Sequence, residues 1–138
     1  MKLSIFFHIV IPILCGVIIY ALWRGIYFID PTQKIFPLAY LNNRPNWLLY
    51  NLPDGLWFYA LLSAIAFIWK PDNSIFLLIW LFGASAMAFL SEFLQLFYCI
   101  PGTFDYYDLL AYSIALLIFY CFNFHQINKL FFIRYKYI

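Results

Sequence analysis

Glu92 and Gln95 stand one helical turn apart near the end of an apolar run, and Asp105 and Asp108 repeat that spacing where the next apolar run opens. Ionisable groups at the mouth of a membrane helix are costly to keep there, which makes each a candidate for a site. Two chemistries suit such a set. A carboxyl shielded from water beside like charges can stay protonated and act as a general acid next to an ionised partner. The same oxygens suit a hard divalent cation. The plainer use is structural, with Asp105 as a helix N-cap, Gln95 bonded to a loop carbonyl, and Arg24 paired with Glu92 or Asp54. The chain has no His-rich metal motif, no serine-nucleophile motif and no phosphate-cradling glycine loop, so no metal ligands are assigned and the cofactor is left open.

The elements that must position these groups follow from composition. A chain of 138 residues that is 67% hydrophobic and only 10% charged lies far from the balance of a soluble domain, and reads as an integral membrane protein. It has room for one helical bundle, residues 1–138, without a repeat or linker to divide it. The expected fold is all-α, a bundle of four transmembrane helices. The first covers Leu3 to Trp23; the second covers Leu56 to Trp69, extended back toward Asn51 to reach spanning length, with Asp54 as its N-cap or first-turn anion. Ile75 to Tyr98 makes the third and Leu109 to Phe124 the fourth. The small residues Gly83, Ala84, Ser85, Ala86 and Ala88 point to the third as the central helix. Gly25 to Leu52 carries turn signals among aromatic residues and reads as an interfacial loop between the first two helices, with a short helix opening at Pro45. Cys15, Cys99 and Cys121 lack metal or redox spacing and read as small buried side chains. His8 and His125 read as interfacial or hydrogen-bonded residues.

Four spans put both termini on one side. Placed in the cytoplasm, that side holds Lys2, Lys70, Lys129, Arg134 and Lys136 against Arg24, Lys34 and Arg44 outside, which the positive-inside rule favours. At ~1.5 Å per residue, Arg24, Asp54, Glu92 and Asp108 lie ~24–33 Å from the cytoplasmic ends of their helices, all near the outer edge of the core. Together with Gln95 and Asp105 they form a small outward-facing polar cup. The net charge of +2, without a concentrated basic face, argues against nucleic acid as a partner.

The run Glu92-x-x-Gln95, Ile100-Pro101-Gly102, Asp105-x-x-Asp108-Leu109-Leu110 resembles the core signature of the VanZ-like family of small bacterial multi-helix membrane proteins. Arg24 after the first span adds a looser match. Thr103 stands where the family usually has arginine, and Tyr112 and Ala115 where it commonly has Asn and Gly. The resemblance implies an inner-membrane envelope protein linked to resistance against lipoglycopeptide-type antibiotics such as teicoplanin. The resulting expectation is a non-enzymatic protein whose cup binds a membrane lipid headgroup, a cell-wall intermediate or another amphiphile, with Arg24 and Arg44 meeting phosphate and the acids orienting Arg24 or binding a cationic group. Two alternatives stay open: a membrane-embedded enzyme acting on a lipid-linked substrate with Glu92 and Asp108 as acid and base, and a helper subunit of a larger membrane protein.

Overall fold

The computed structural model describes residues 2–23, 46–69 and 75–135, with side chains placed over 4–21, 49–69 and 75–123. Arg24, Lys34, Arg44, Lys70, Asp72 and Lys136 lie outside the described residues, as does the expected interfacial loop up to position 45; so do the side chains of Lys2, His125, Lys129 and Arg134. The described chain is all-helical, without strands. The first helix comprises α1 (Lys2–Ile5), a π-helical turn (Phe6–Val10) and α2 (Ile11–Trp23), joined without a break in helical backbone. It is followed by α3 (Asn46–Trp69), α4 (Ile75–Leu96) and α5 (Tyr106–Tyr135).

Three stretches are long and apolar enough to cross a membrane: Leu49–Trp69, Ile75–Leu96 and Tyr106–Asn123. The first helix is apolar over the shorter Phe6–Ala21. The exposed residues support the same reading, since Phe82, Met87, Trp80, Leu117 and Phe122 all point outward, a surface that lipid tolerates and water does not.

The central helix is α3, not the third span that its small residues suggested. It packs against the first helix, α4 and α5, and 50% of its span is buried, against 11% in each of α4 and α5. The cause lies in its polar content. Asn51 and Ser63 are buried on α3, and polar groups in a membrane helix turn toward protein because lipid offers no partner. Phe58, Tyr59 and Leu62 of α3 meet Ala115 and Phe119 of α5 to make the core, with Ala84 and Ala88 of α4 packed against its edge. Gly83, by contrast, faces open space.

Several boundaries shift from expectation. α3 opens at Asn46 and runs without a break through Pro53, so 46–52 belongs to the second span, and Asp54 stands two turns inside the helix instead of capping it. Proline normally breaks a helix by removing one donor and crowding the preceding turn. Here Pro53 is fully buried among neighbouring helices, whose packing holds the backbone in place. α4 ends at Leu96 because Tyr98 takes a left-handed conformation (φ 57°). The Tyr98 N–H bonds Gln95 O (3.0 Å) and the Cys99 N–H bonds Leu94 O (2.8 Å), a Schellman closure that satisfies the last carbonyls. α5 opens at Tyr106, a turn before Leu109, and continues past Phe124 to Tyr135. The cysteines are exposed, not in the core: Cys99 lies in the turn between α4 and α5, and on the helices a small thiol is as well accommodated against lipid as inside, as at Cys15 and Cys121.

At Gly16 the first helix meets α3 most closely. A Cβ there lands on the indole of Trp57, which is itself positioned by donating from Nε1 to Ile13 O (3.4 Å). Gly16→Leu is expected to cost about 1–3 kcal/mol by overpacking, read as a lower unfolding temperature in detergent, whereas Gly83→Leu stays within about 0.5 kcal/mol of the parent.

Candidate functional site

The turn between α4 and α5 brings the acids together. Asp105 caps α5, accepting the Tyr107 N–H on Oδ1 (2.8 Å), and places Asp108 in the first helical turn, where a negative charge suits the helix dipole. The turn closes tightly because Gly102 adopts φ +140° with its backbone laid against the Gln95 amide. A Cβ at 102 stands 2.7 Å from Gln95 Cδ, so only glycine fits there. Gln95 therefore braces the turn from below.

Glu92 projects from the last full turns of α4 and is 4% exposed. Its Oε2 accepts the Asp105 N–H at 3.4 Å, tying α4 to the start of α5. The charges of Asp108, Asp105 and Asp54 all act on it, with Asp54 arriving from α3. Tyr112, one turn beyond Asp108, feels Asp54, Asp108 and Glu92 and holds its ring edge-on between Phe58 (5.3 Å) and Phe89 (6.0 Å). It forms the aromatic floor of the cluster.

A residue that sequence reading did not select joins these groups. Asn51 of α3 is 4% exposed, and its Nδ2 donates to both Asp105 Oδ2 (3.0 Å) and Asp108 Oδ1 (2.6 Å). One neutral amide thus bridges two carboxylates and locks α3 to α5. Its Oδ1 is also buried, yet has no hydrogen-bond partner among the described residues. A buried acceptor without a donor costs ~1–3 kcal/mol, and native structures keep few of them. The available signal was position: Asn51 is one turn before Asp54 on what proves to be the same helix.

Of the residues singled out from sequence, Asp54, Glu92, Asp105 and Asp108 converge, Gln95 supports them from the adjoining turn, and Arg24 lies outside the described residues. The set is rich in acceptors and poor in donors. No lysine or arginine occurs between Arg44 and Lys70 or between Lys70 and Lys129, so α3, α4 and the start of α5 bring no cation of their own. Among the described residues no three His, Cys, Asp or Glu side chains are arranged to hold a metal ion. Among the residues whose side chains are described, none is a lysine or arginine. At the other end of the bundle, His8, on the π-helical turn, is hydrogen-bonded through Nδ1 to the Tyr59 hydroxyl, and its ring meets Phe122.

Comparison of the chain with protein-family models, with curated proteins and with solved structures finds no match in any of the three.

Proposed function

We propose that this chain is a bacterial envelope membrane protein of the VanZ-like type, which binds an amphiphile by its ammonium headgroup in the carboxylate cup formed by Glu92, Asp105, Asp108 and Asp54. The observation that carries this reading is Asn51, whose amide spends both donors on Asp105 and Asp108 and leaves a buried oxygen awaiting a donor. An ammonium supplies three N–H donors and a charge that suits the carboxylates, and hydrogen bonds between charged groups are the strong ones. The resemblance in Glu92, Gln95, Asp105 and Asp108 supports the same placement in the envelope. In this reading the protein acts by binding, without catalysis.

The cup faces outward from the bacterial inner membrane, with four spans and both termini in the cytoplasm. The basic residues of the sequence support this direction. Thr103, exposed in the turn beside the cup, is then expected to react as Thr103→Cys with an impermeant maleimide in intact cells, while a reporter fused after Ile138 reads cytoplasmic. A C-terminal reporter that reads extracytoplasmic rejects the topology. Binding itself is tested by headgroup competition: a phosphatidylethanolamine probe is expected to be displaced by a free long-chain amine and not by phosphatidylglycerol. Equal displacement by both rejects the ammonium reading.

A further inference from the structure

An apolar cavity adjoins the cup at Asn51. It measures about 400 Å³ and runs between the first helix and α5 over the face of α3, from Asn51 and Tyr107 at the cup end to His8 and Phe122 at the other. Between its two polar ends the walls are mainly apolar, with Leu110 and Ile114 along one rim. Both are about half exposed, so the cavity opens sideways, toward what is lipid in a membrane. Its floor is smooth because Gly55 packs directly on Ala111, where a Cβ at 55 stands only 3.2 Å from the Ala111 Cβ.

The dimensions choose the occupant. Tyr107 to Phe122 spans about 22 Å of helix rise, most of a hydrocarbon core ~30 Å thick. Spread over that length, 400 Å³ leaves a mean cross-section of roughly 18 Å², while an α-helix ~10 Å across needs about 80 Å². One extended hydrocarbon chain fits within the walls of this groove, whereas a helix of a second copy or of another protein would lie largely outside them. Asn51 belongs to both parts: it lines the groove and holds Asp105 and Asp108 of the cup, so a chain lying here ends beside the residue that bridges the two carboxylates.

We infer that the groove between the first helix and α5 takes one acyl chain of an aminophospholipid whose ammonium group sits in the cup. The inference rests on the binding reading above and adds the lipid tail, its path and its depth. The lipid enters laterally between the Leu110–Ile114 rim and the first helix, exchanging contact with bulk acyl chains for contact with the groove. Selectivity comes from the headgroup end, because the apolar walls do not distinguish one chain from another.

The test uses the full chain in phosphatidylcholine nanodiscs containing phosphatidylethanolamine with a photoreactive diazirine in its tail, the adducts being mapped by peptide mass spectrometry. Labelling is expected within 51–59 and 107–122, with little on the outward face of α4 around Phe82 and Met87. Ile114→Trp, which fills the groove from its exposed rim, is expected to reduce groove labelling at least fivefold; Met87→Trp on the opposite surface leaves it unchanged. Equal labelling of the groove and the outer face of α4 overturns the inference. So does unchanged labelling in Ile114→Trp that retains the parent's circular dichroism, or a crosslink joining the groove to a second copy. A diazirine-tailed phosphatidylglycerol separates the two readings. If it labels the groove as strongly as the amine lipid, the groove stands and the cup reading fails. If Glu92 governs headgroup choice while neither tail labels the groove, the cup stands and the groove reading fails.

Discussion

Asn51→Leu is expected to destabilise the protein by about 2–4 kcal/mol, the largest single loss among substitutions near the cup. Leucine nearly matches the volume but offers no donor, so Asp105 and Asp108 lose the amide that bridges them, and α3 loses its polar link to α5. The cost lies in the carboxylates left behind more than in the bonds removed, because a partly buried charge deprived of its partner keeps its desolvation penalty. Adding Asp108→Asn to Asn51→Leu should therefore recover part of the loss, which makes the pair strongly non-additive. Chemical unfolding in a mild detergent, followed by circular dichroism, checks both statements. An Asn51→Leu variant within about 0.5 kcal/mol of the parent contradicts the bridging role.

Glu92→Gln is expected to separate binding from stability. The glutamine keeps the shape and can still accept the Asp105 N–H, so the tie between α4 and α5 survives. What it removes is a charge that Asp108, Asp105 and Asp54 all repel. Stability should hold or rise, while affinity for an ammonium-headed lipid falls by about 1.5–3 kcal/mol, roughly 10- to 150-fold, the range for hydrogen bonds to charged groups. A residue that lowers stability where it supplies function is what a binding site displays and a brace does not. Equal loss of stability and binding in Glu92→Gln returns Glu92 to a purely structural role.

Much of the architecture was legible because it depends on local pattern. Apolar run length located the four helices among the described residues, and the i, i+3 pair Asp105 and Asp108 announced the start of α5. Counting rise along each helix put Asp54, Glu92 and Asp108 at one level, and the structure brings their charges within reach of one another. Asn51 was missed for a physical reason. It stood at the seam between the expected loop, Gly25 to Leu52, and the second helix extended back toward it, where an Asn reads as a boundary residue, whereas the helix begins at Asn46 and packing buries Asn51 within it. The small residues of α4 pointed to the wrong central helix because such residues permit close approach without requiring it; Asn51 and Ser63 of α3 were the stronger signal, since a polar group in a membrane helix has to find protein. The groove had no sequence signature at all. It is made by three helices, each contributing apolar residues that are individually indistinguishable from lipid-facing ones.

Native mass spectrometry of the protein released from nanodiscs containing equal phosphatidylethanolamine and phosphatidylglycerol tests the ammonium-binding cup most directly. A cup built from Glu92, Asp105, Asp108 and the buried Asn51 oxygen predicts a bound-lipid adduct at least fivefold enriched in phosphatidylethanolamine, with the enrichment lost in Glu92→Gln at unchanged fold. Adducts that mirror the bilayer composition in both proteins contradict it.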